Sequence, residues 1–306
     1  MLKSMRDGYG DALVELENEN IVVLDADLAH ATMSSIFLSK YPERFFNLGI
    51  AEQNLFGVAT GMAHSGLTVF AGTFAMFATG RAYEQVRNSV CYSNANVKVV
   101  GTHAGLSPCS DGGSHQTIED IALMRVLPNM TVFSPCDYNQ TKQLVKEAAK
   151  IKGPVYIRLG RMPSPMFTQG NIEVGKAQIL REGNDICLIS TGVMVWKCLQ
   201  AAEELQKKGI EASVINVHTM KPFDEDTILK YAKHCHRVVT VEEHSIIGGL
   251  GSIVAETLLG KGDFCFKRIG IDDKFGQSGD FEELMEFYGL TKENIISTCE
   301  KMMMDQ

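Results

Sequence analysis

Between Arg44 and Arg81 the chain carries one formally charged side chain, Glu52, in a run of apolar, small and neutral-polar residues. A carboxylate so placed sits either on an exposed first turn of a helix or inside the protein. Buried without a cation, a carboxyl favours its protonated form. Only that form donates a hydrogen bond, for example to a ring nitrogen. Phe74 and Phe77 are either core residues at helical spacing or an aromatic platform for a flat ring. Asp25 and Asp27 close the apolar stretch IVVLDAD, where acids either face a ligand or cap the next helix. His103, Asp111 and His115 lie in and beside a turn-rich loop, GLSPCSDGGSHQ, without metal-ligand spacing. Hydrogen bonding to a polyhydroxylated or anionic ligand suits them better than metal binding. Arg158 and Arg161 close PVYIRLGR. Arginine commonly grips phosphate or sulfonate with two donors, but an internally paired arginine is the alternative, and sequence does not separate the two.

These groups need a frame that gathers them. In open parallel sheets, ligands meet the carboxyl ends of the strands, and several of these residues end β-like runs. The pattern predicts an amphipathic first helix and a strand over IVVLDAD. A buried helix then runs from about Ala51 to His64, with a turn at Ser65-Gly66. A short strand, Leu67–Phe70, precedes a glycine-bounded loop, and RAYEQVRNSVCYSN reads as a further helix. VKVVGTHAG, MTVFSP and PVYIRLGR read as strands, and Asp137 as the cap of a helix that stops at Gly153. Thr117 with Asp120 reads as a capping box. Two prolines and a glycine in MPSPMFTQGN place a domain boundary there, giving units over 1–167 and 168–306. The second unit again alternates strand and helix, so the expected class is α/β, two domains with mostly parallel sheets. GGLG at 248–251 is a weak nucleotide-loop signal. His244 and its neighbouring acids are structural or interfacial.

Bulk properties exclude several function classes. A chain of 306 residues with 45% apolar and 22% charged residues has enough material for two real cores. A net charge of −8 argues against a nucleic-acid surface. The uncharged run around Glu52 is interrupted by Gln53, Asn54, Ser65 and Gly66, which argues against a membrane span. The amino terminus has no apolar stretch of signal-peptide length, and the eight cysteines are scattered without a C-x-x-C pair. A reduced, cytoplasmic setting is expected, with the thiols acting as small hydrophobes.

In order, LDADL, RFFNLGIAEQN, GTFAMFATGRAYEQVR, VGTHAGLS…DGGSHQTIEDIALMR, PVYIRLGR and VEEHSIIGGLG resemble the carboxyl-terminal half of transketolase, over essentially the whole chain. The family's Gly-Asp-Gly signature for diphosphate and metal does not occur here. The resemblance therefore implies the second subunit of a split transketolase, a pyrimidine-binding domain followed by a transketolase C-terminal domain. It implies thiamine diphosphate as cofactor, with Mg2+ or Ca2+ held by an amino-terminal, diphosphate-binding partner subunit in a two-plus-two heterotetramer. No metal ligand is assigned to this chain.

By the same resemblance, Glu52 hydrogen-bonds the aminopyrimidine nitrogen and favours the tautomer that activates the thiazolium carbon. Phe74 and Phe77 line the pyrimidine site, and Asp27 lines the cofactor and substrate channel. His103 and His115 face the substrate as catalytic groups, Asp111 contacts a sugar hydroxyl, and Arg6 and Arg161 hold the substrate's anionic end. The implied reaction moves a two-carbon ketol unit from a ketose, phosphate or sulfonate, to an aldose phosphate. Three departures lie at the substrate mouth. Ala31, with Thr32 beside it, stands where the family has a phosphate-binding serine. Met33 replaces a frequent lysine, and Cys109-Ser110-Asp111-Gly112 replaces Gly-Glu-Asp-Gly. Rival readings are the beta subunit of a thiamine-dependent 2-oxoacid dehydrogenase, a deoxyxylulose-phosphate synthase, and a non-catalytic assembly subunit. DGGSHQTIED and Arg161 favour sugar transfer over the first, and the normally fused chain ranks the second lower. Intact Glu52, His103 and His115 argue against the third.

Overall fold

A computed structural model describes residues 2–304 of the chain. Its strands are β1 (Leu2–Lys3), β2 (Ile21–Asp25), β3 (Phe45–Asn47), β4 (Thr68–Phe74), β5 (Val97–Thr102), β6 (Thr131–Phe133), β7 (Val155–Arg158), β8 (Ser164–Pro165), β9 (Gln178–Arg181), β10 (Ile186–Ser190), β11 (Ala212–Asn216), β12 (Thr219–Lys221), β13 (Arg237–Ser245) and β14 (Cys265–Ile271). Its α-helices are α1 (Met5–Glu15), α2 (Ala29–Thr32), α3 (Ser35–Lys40), α4 (Glu52–His64), α5 (Asp120–Arg125), α6 (Tyr138–Lys150), α7 (Met194–Lys207), α8 (Glu225–Cys235), α9 (Leu250–Leu258), α10 (Phe281–Phe287) and α11 (Lys292–Met304).

The first sheet has the order β12-β6-β7-β5-β4-β2-β3. All its strands run parallel except β12, which the second half of the chain contributes antiparallel to β6. Parallel strands covered on both faces read as continuous apolar runs, and β2, β5 and β7 are buried at every position. One face carries α1, α3 and α6, packed through Tyr9, Leu13, Phe37, Leu144 and Val145. On the other face, α4 and the turns after β4 pack through Leu55, Phe56, Val86 and Val90. That core continues without a break to Ile228 and Ile253 on α8 and α9. The second sheet, β14-β13-β10-β11-β9, is parallel apart from β9. Its far face holds α7, α10 and α11. The α/β class with mostly parallel sheets is therefore as expected.

Strand order reverses beside β2. The chain steps from β2 outward to β3, then returns to build β4 and β5 on the other side. A crevice opens outside the carboxyl ends at such a switch point.

Two local readings need correction. The strand expected over Leu67–Phe70 continues to Phe74, because Ala71, Gly72, Thr73 and Phe74 pair with β5, and Gly72 also pairs with Asp25 of β2. Ladder bonds on both sides outweigh the turn preference of Gly72. The helix expected over RAYEQVRNSVCYSN is π-helical at Gln85–Tyr92, preceded by a π-helical turn at Phe77–Arg81. Such wide turns cluster at functional sites, and the first of these starts at an aromatic of the expected site.

Candidate active site

Glu52 is the first residue of α4, just past the carboxyl end of β3, and is 5% exposed. Its carboxylate makes no hydrogen bond or ion pair among the described residues, and Ala51 before it supplies no side-chain cap. The reading of an exposed first turn is thus excluded. Neighbouring Ile50 is 81% exposed, so the buried acid lies next to an open apolar rim. Asn47 ties this segment to the loop after β2. Its amide donates to Asp27 Oδ1 at 2.8 Å, and its Oδ1 accepts from the Gly49 N–H at 2.9 Å.

The two acids of the first strand part company. Asp25 is fully buried and accepts from the Leu28 N–H, from Thr32 Oγ1 at 2.8 Å and from Ser34 Oγ at 3.0 Å. Burial nonetheless raises its pKa, with those hydrogen bonds opposing. It is a brace for the loop over 26–34. Asp27 stands exposed in a left-handed conformation (φ +64°) at the mouth of the crevice.

At the ends of β4, β5 and β7 the structure brings together the aromatic, histidine and arginine candidates. The rings of Phe74 and Phe77 stack at 6.0 Å, Phe74 lies 3.9 Å from the His103 ring, and His115 meets Phe77 edge-on at 5.3 Å. His103 is buried and left-handed (φ +55°). Its Nδ1 lies 3.1 Å from Thr102 Oγ1 and its Nε2 lies 3.5 Å from Arg6 Nη1. An arginine only donates, so this contact assigns Nε2 as acceptor and Nδ1 as the protonated nitrogen. Burial first, then Arg6 and Arg161, push the His103 pKa down to about 3. The imidazole is therefore neutral at pH 7.

Arg6 donates to the backbone carbonyls of Ala31 and Arg161, the latter at 3.2 Å. Burial and then the nearby Arg161 lower its pKa. Neither arginine pairs with an acid among the described residues. Arg161 is held by its backbone, whose N–H donates to Ser107 Oγ at 3.2 Å. Asp111 is exposed at the end of a 3-10 turn, Cys109–Asp111, and His115 is half-buried. All the candidates thus lie along the carboxyl edge of one sheet.

Arg158 does not belong with them. It is buried against Asp120 (Nε to Oδ2, 2.9 Å) and donates to the Glu243 carbonyl at 2.8 Å. Tyr156 donates to the same Asp120 at 2.6 Å. This corrects the capping box: Asp120 is drawn to a buried cation, and among the described residues α5 has no side-chain cap and the Thr117 hydroxyl no partner. The glycine loop is also no nucleotide site. The Leu250 and Gly251 N–H groups that a phosphate would need donate to the Glu242 carboxylate at 2.6 and 2.7 Å. His244 is buried, with Nδ1 donating to the Ser245 carbonyl at 2.7 Å.

Sequence reading missed Thr102 and Ser107, which orient His103 and the Arg161 backbone. It also missed Gln116, whose amide reaches the Gln277 carbonyl at 2.9 Å and so joins the His115 loop to the second domain. Hydroxyls and amides in loops are too common for their types alone to mark them.

Both halves of the chain match known protein families. Residues 3–165 match the transketolase pyrimidine-binding domain and residues 175–295 the transketolase C-terminal domain. A transketolase C-terminal section from Methanocaldococcus jannaschii is 49% identical, covering 96% of this chain and 94% of that protein. The 6-deoxy-6-sulfo-D-fructose transketolase subunit SqwH of Clostridium sp. is 42% identical over 97% of this chain and 94% of its own length. A split-gene transketolase solved as an inactive β4 tetramer superposes with a TM-score of 0.90 at 48% identity, covering 97% of both chains.

Proposed function

The chain is a split subunit of the transketolase family, and from that premise we propose that it supplies the pyrimidine and substrate half of a thiamine diphosphate enzyme. That enzyme moves a two-carbon ketol unit from a ketose with an anionic end to an aldose phosphate. The observation that carries this reading is an imbalance. The carboxyl edge of the first sheet holds a buried acid and two arginines that form no ion pair among the described residues, whereas Arg158 and Asp120 elsewhere pair with each other.

The residues fit the family's cofactor. Glu52 is a buried acid free to meet a ring nitrogen, and Phe74 and Phe77 offer the apolar rings that a flat pyrimidine needs. When bound, the cofactor supplies a carbon nucleophile and an electron sink for breaking a carbon–carbon bond beside a carbonyl. This chain's part is to place groups around it. Glu52 would hold a pyrimidine ring nitrogen through a shared proton. Asp27 lines the channel. Neutral His103 lines the site beside Arg6 without adding a third positive charge, while Asp111 and His115 would take sugar hydroxyls. Arg6 and Arg161 hold the anion, whose arrival relieves their mutual repulsion. A partner subunit, joined two-plus-two, holds the diphosphate and its Mg2+ or Ca2+, and the assembly works in the cytoplasm.

The mouth of the site narrows the donor. Thr32 does not stand in for the missing serine, because it is fully buried and its hydroxyl is committed to Asp25. Ala31 contributes a carbonyl to Arg6 and no donor side chain. With fewer donors than a phosphate site of the family, the grip rests on two arginines, which suits a sulfonate or a phosphate on a less common sugar. Preference for xylulose 5-phosphate over every other donor would remove that part of the reading.

The test of the whole is calorimetry of thiamine diphosphate with magnesium, on this chain alone and mixed with the protein encoded beside it. Tight binding only in the mixture is expected. Tight binding by the chain alone would overturn the shared site.

A further inference from the structure

The second domain grips the loop that carries His103. We propose that Glu243 is a positioning residue for His103, acting through the hydrogen bond that its carboxylate accepts from the Leu106 N–H. For its kinetic consequences this rests on the sugar-transfer reading above.

His103 and Gly105 are both left-handed, at φ +55° and +65°. That conformation is uncommon for a residue with a side chain and persists where surrounding contacts over-determine it. Three consecutive amides after His103 supply those contacts. The Ala104 N–H donates to the Leu159 carbonyl at 3.1 Å, the Gly105 N–H to the Thr117 carbonyl at 2.9 Å, and the Leu106 N–H to Glu243 Oε1 at 2.8 Å. Only the last reaches across the domain joint. The Glu243 side chain also lies flat against Gly105, where a Cβ would collide with its carboxyl group. The turn is thus pressed and hydrogen-bonded by one buried group 2% exposed to solvent. Glu243 is itself fixed from behind, its carbonyl by Arg158 Nη2 at 2.8 Å. Its second carboxylate oxygen makes no hydrogen bond among the described residues and lies 3.7 Å from Arg158 Nη1. What the loop uses is therefore the reach and the acceptor of Oε1, not a tight ion pair.

Two conservative variants separate these roles. Glu243→Gln keeps an acceptor oxygen at the same reach and loses the charge. Glu243→Asp keeps the charge and withdraws the oxygen by one methylene. Displacements of about 1 Å cost up to about 10²-fold in rate. In the reconstituted two-chain enzyme the Asp variant is expected to lose at least about tenfold in kcat/KM, with donor KM raised and cofactor affinity unchanged. The Gln variant is expected to stay within about threefold of the parent. The His103 imidazole resonances of the chain alone should shift in the Asp variant and hold still in the Gln variant. That spectroscopic arm decides the proposal even if the parent complex proves inactive on sugars, which would instead sink the functional reading. Equal losses in both variants with an unmoved His103 signal would overturn it. So would an unmoved signal in the Asp variant. Should the Asp variant not fold, amide exchange at Leu106 in the parent decides: protection comparable to the β5 ladder is expected, and exchange at the rate of an open loop overturns the proposal.

Discussion

At the carboxyl edge of the first sheet, Glu52, Arg6 and Arg161 pair with no opposite charge among the described residues. At the edge of the second sheet, Glu242 fills the start of α9, Glu243 holds Leu106 and faces Arg158, and His244 donates to a backbone carbonyl. Both edges are places where open parallel sheets bind ligands, and both carry acids, histidines and a glycine-bounded turn. One keeps its polar groups available, and the other consumes them in a joint between domains. A buried charge is costly unless paired. The open edge is thus the one where a bound ligand would add partners.

The largest expected effect tests the open side of that contrast. Glu52→Gln should lower turnover of the two-chain enzyme by about 10²–10⁴-fold, with thermal unfolding of the chain itself nearly unchanged. Full activity in this variant would revive the non-catalytic reading. At the joint the outcome should be reversed. Arg158→Met leaves Asp120 and Glu243 buried without their cation and should cost about 3–5 kcal/mol in urea unfolding of the isolated chain. A neutral outcome would show that the joint is no tighter than a surface pair.

Next in size is Arg161→Ala, which should raise the KM for a phosphorylated or sulfonated donor by about tenfold while leaving stability within about 0.5 kcal/mol. A change in stability with an unchanged KM would move Arg161 from the site to the scaffold.

The smallest effect is a pH dependence whose sign differs between the buried histidines and the buried acids. His103 is held down to about 3 from 6.5, and His244 to about 4. Their contribution to stability is complete above about pH 6.5 and is lost as pH falls through those values. Burial lifts Glu242 and Glu243 to about 7 from 4.5, against the pull of their N–H donors and Arg158. Their contribution is present below about pH 4.5 and is lost as pH rises through 7. Unfolding free energies of the parent and of Glu242→Gln, followed from pH 5 to 8, should therefore converge with rising pH. A constant gap would mean that the buried acid does not titrate in that range.

Much was determined by the sequence itself. Apolar runs of strand length alternating with amphipathic stretches dictate an α/β fold, because parallel strands buried on both faces admit little else. The isolation of Glu52 in an uncharged run was visible as such, and the order of motifs was enough to name the family. Local rules also held where partners are close in sequence: Asp137 and Asp224 cap their helices as those rules require. The tertiary structure decided between chemically equivalent residues. Arg158 and Arg161 are three apart, yet one meets Asp120 from 38 positions away and the other meets no acid among the described residues. Asp25 turns inward to Thr32 and Ser34, while Asp27, two residues on, turns out to the crevice. The glycines of GGLG open a helix start that an acid from the preceding strand already fills. Such outcomes depend on which charges the fold brings within hydrogen-bond reach. That is a property of chain crossings rather than of local pattern, so the same residue types become a site at one edge and a joint at the other.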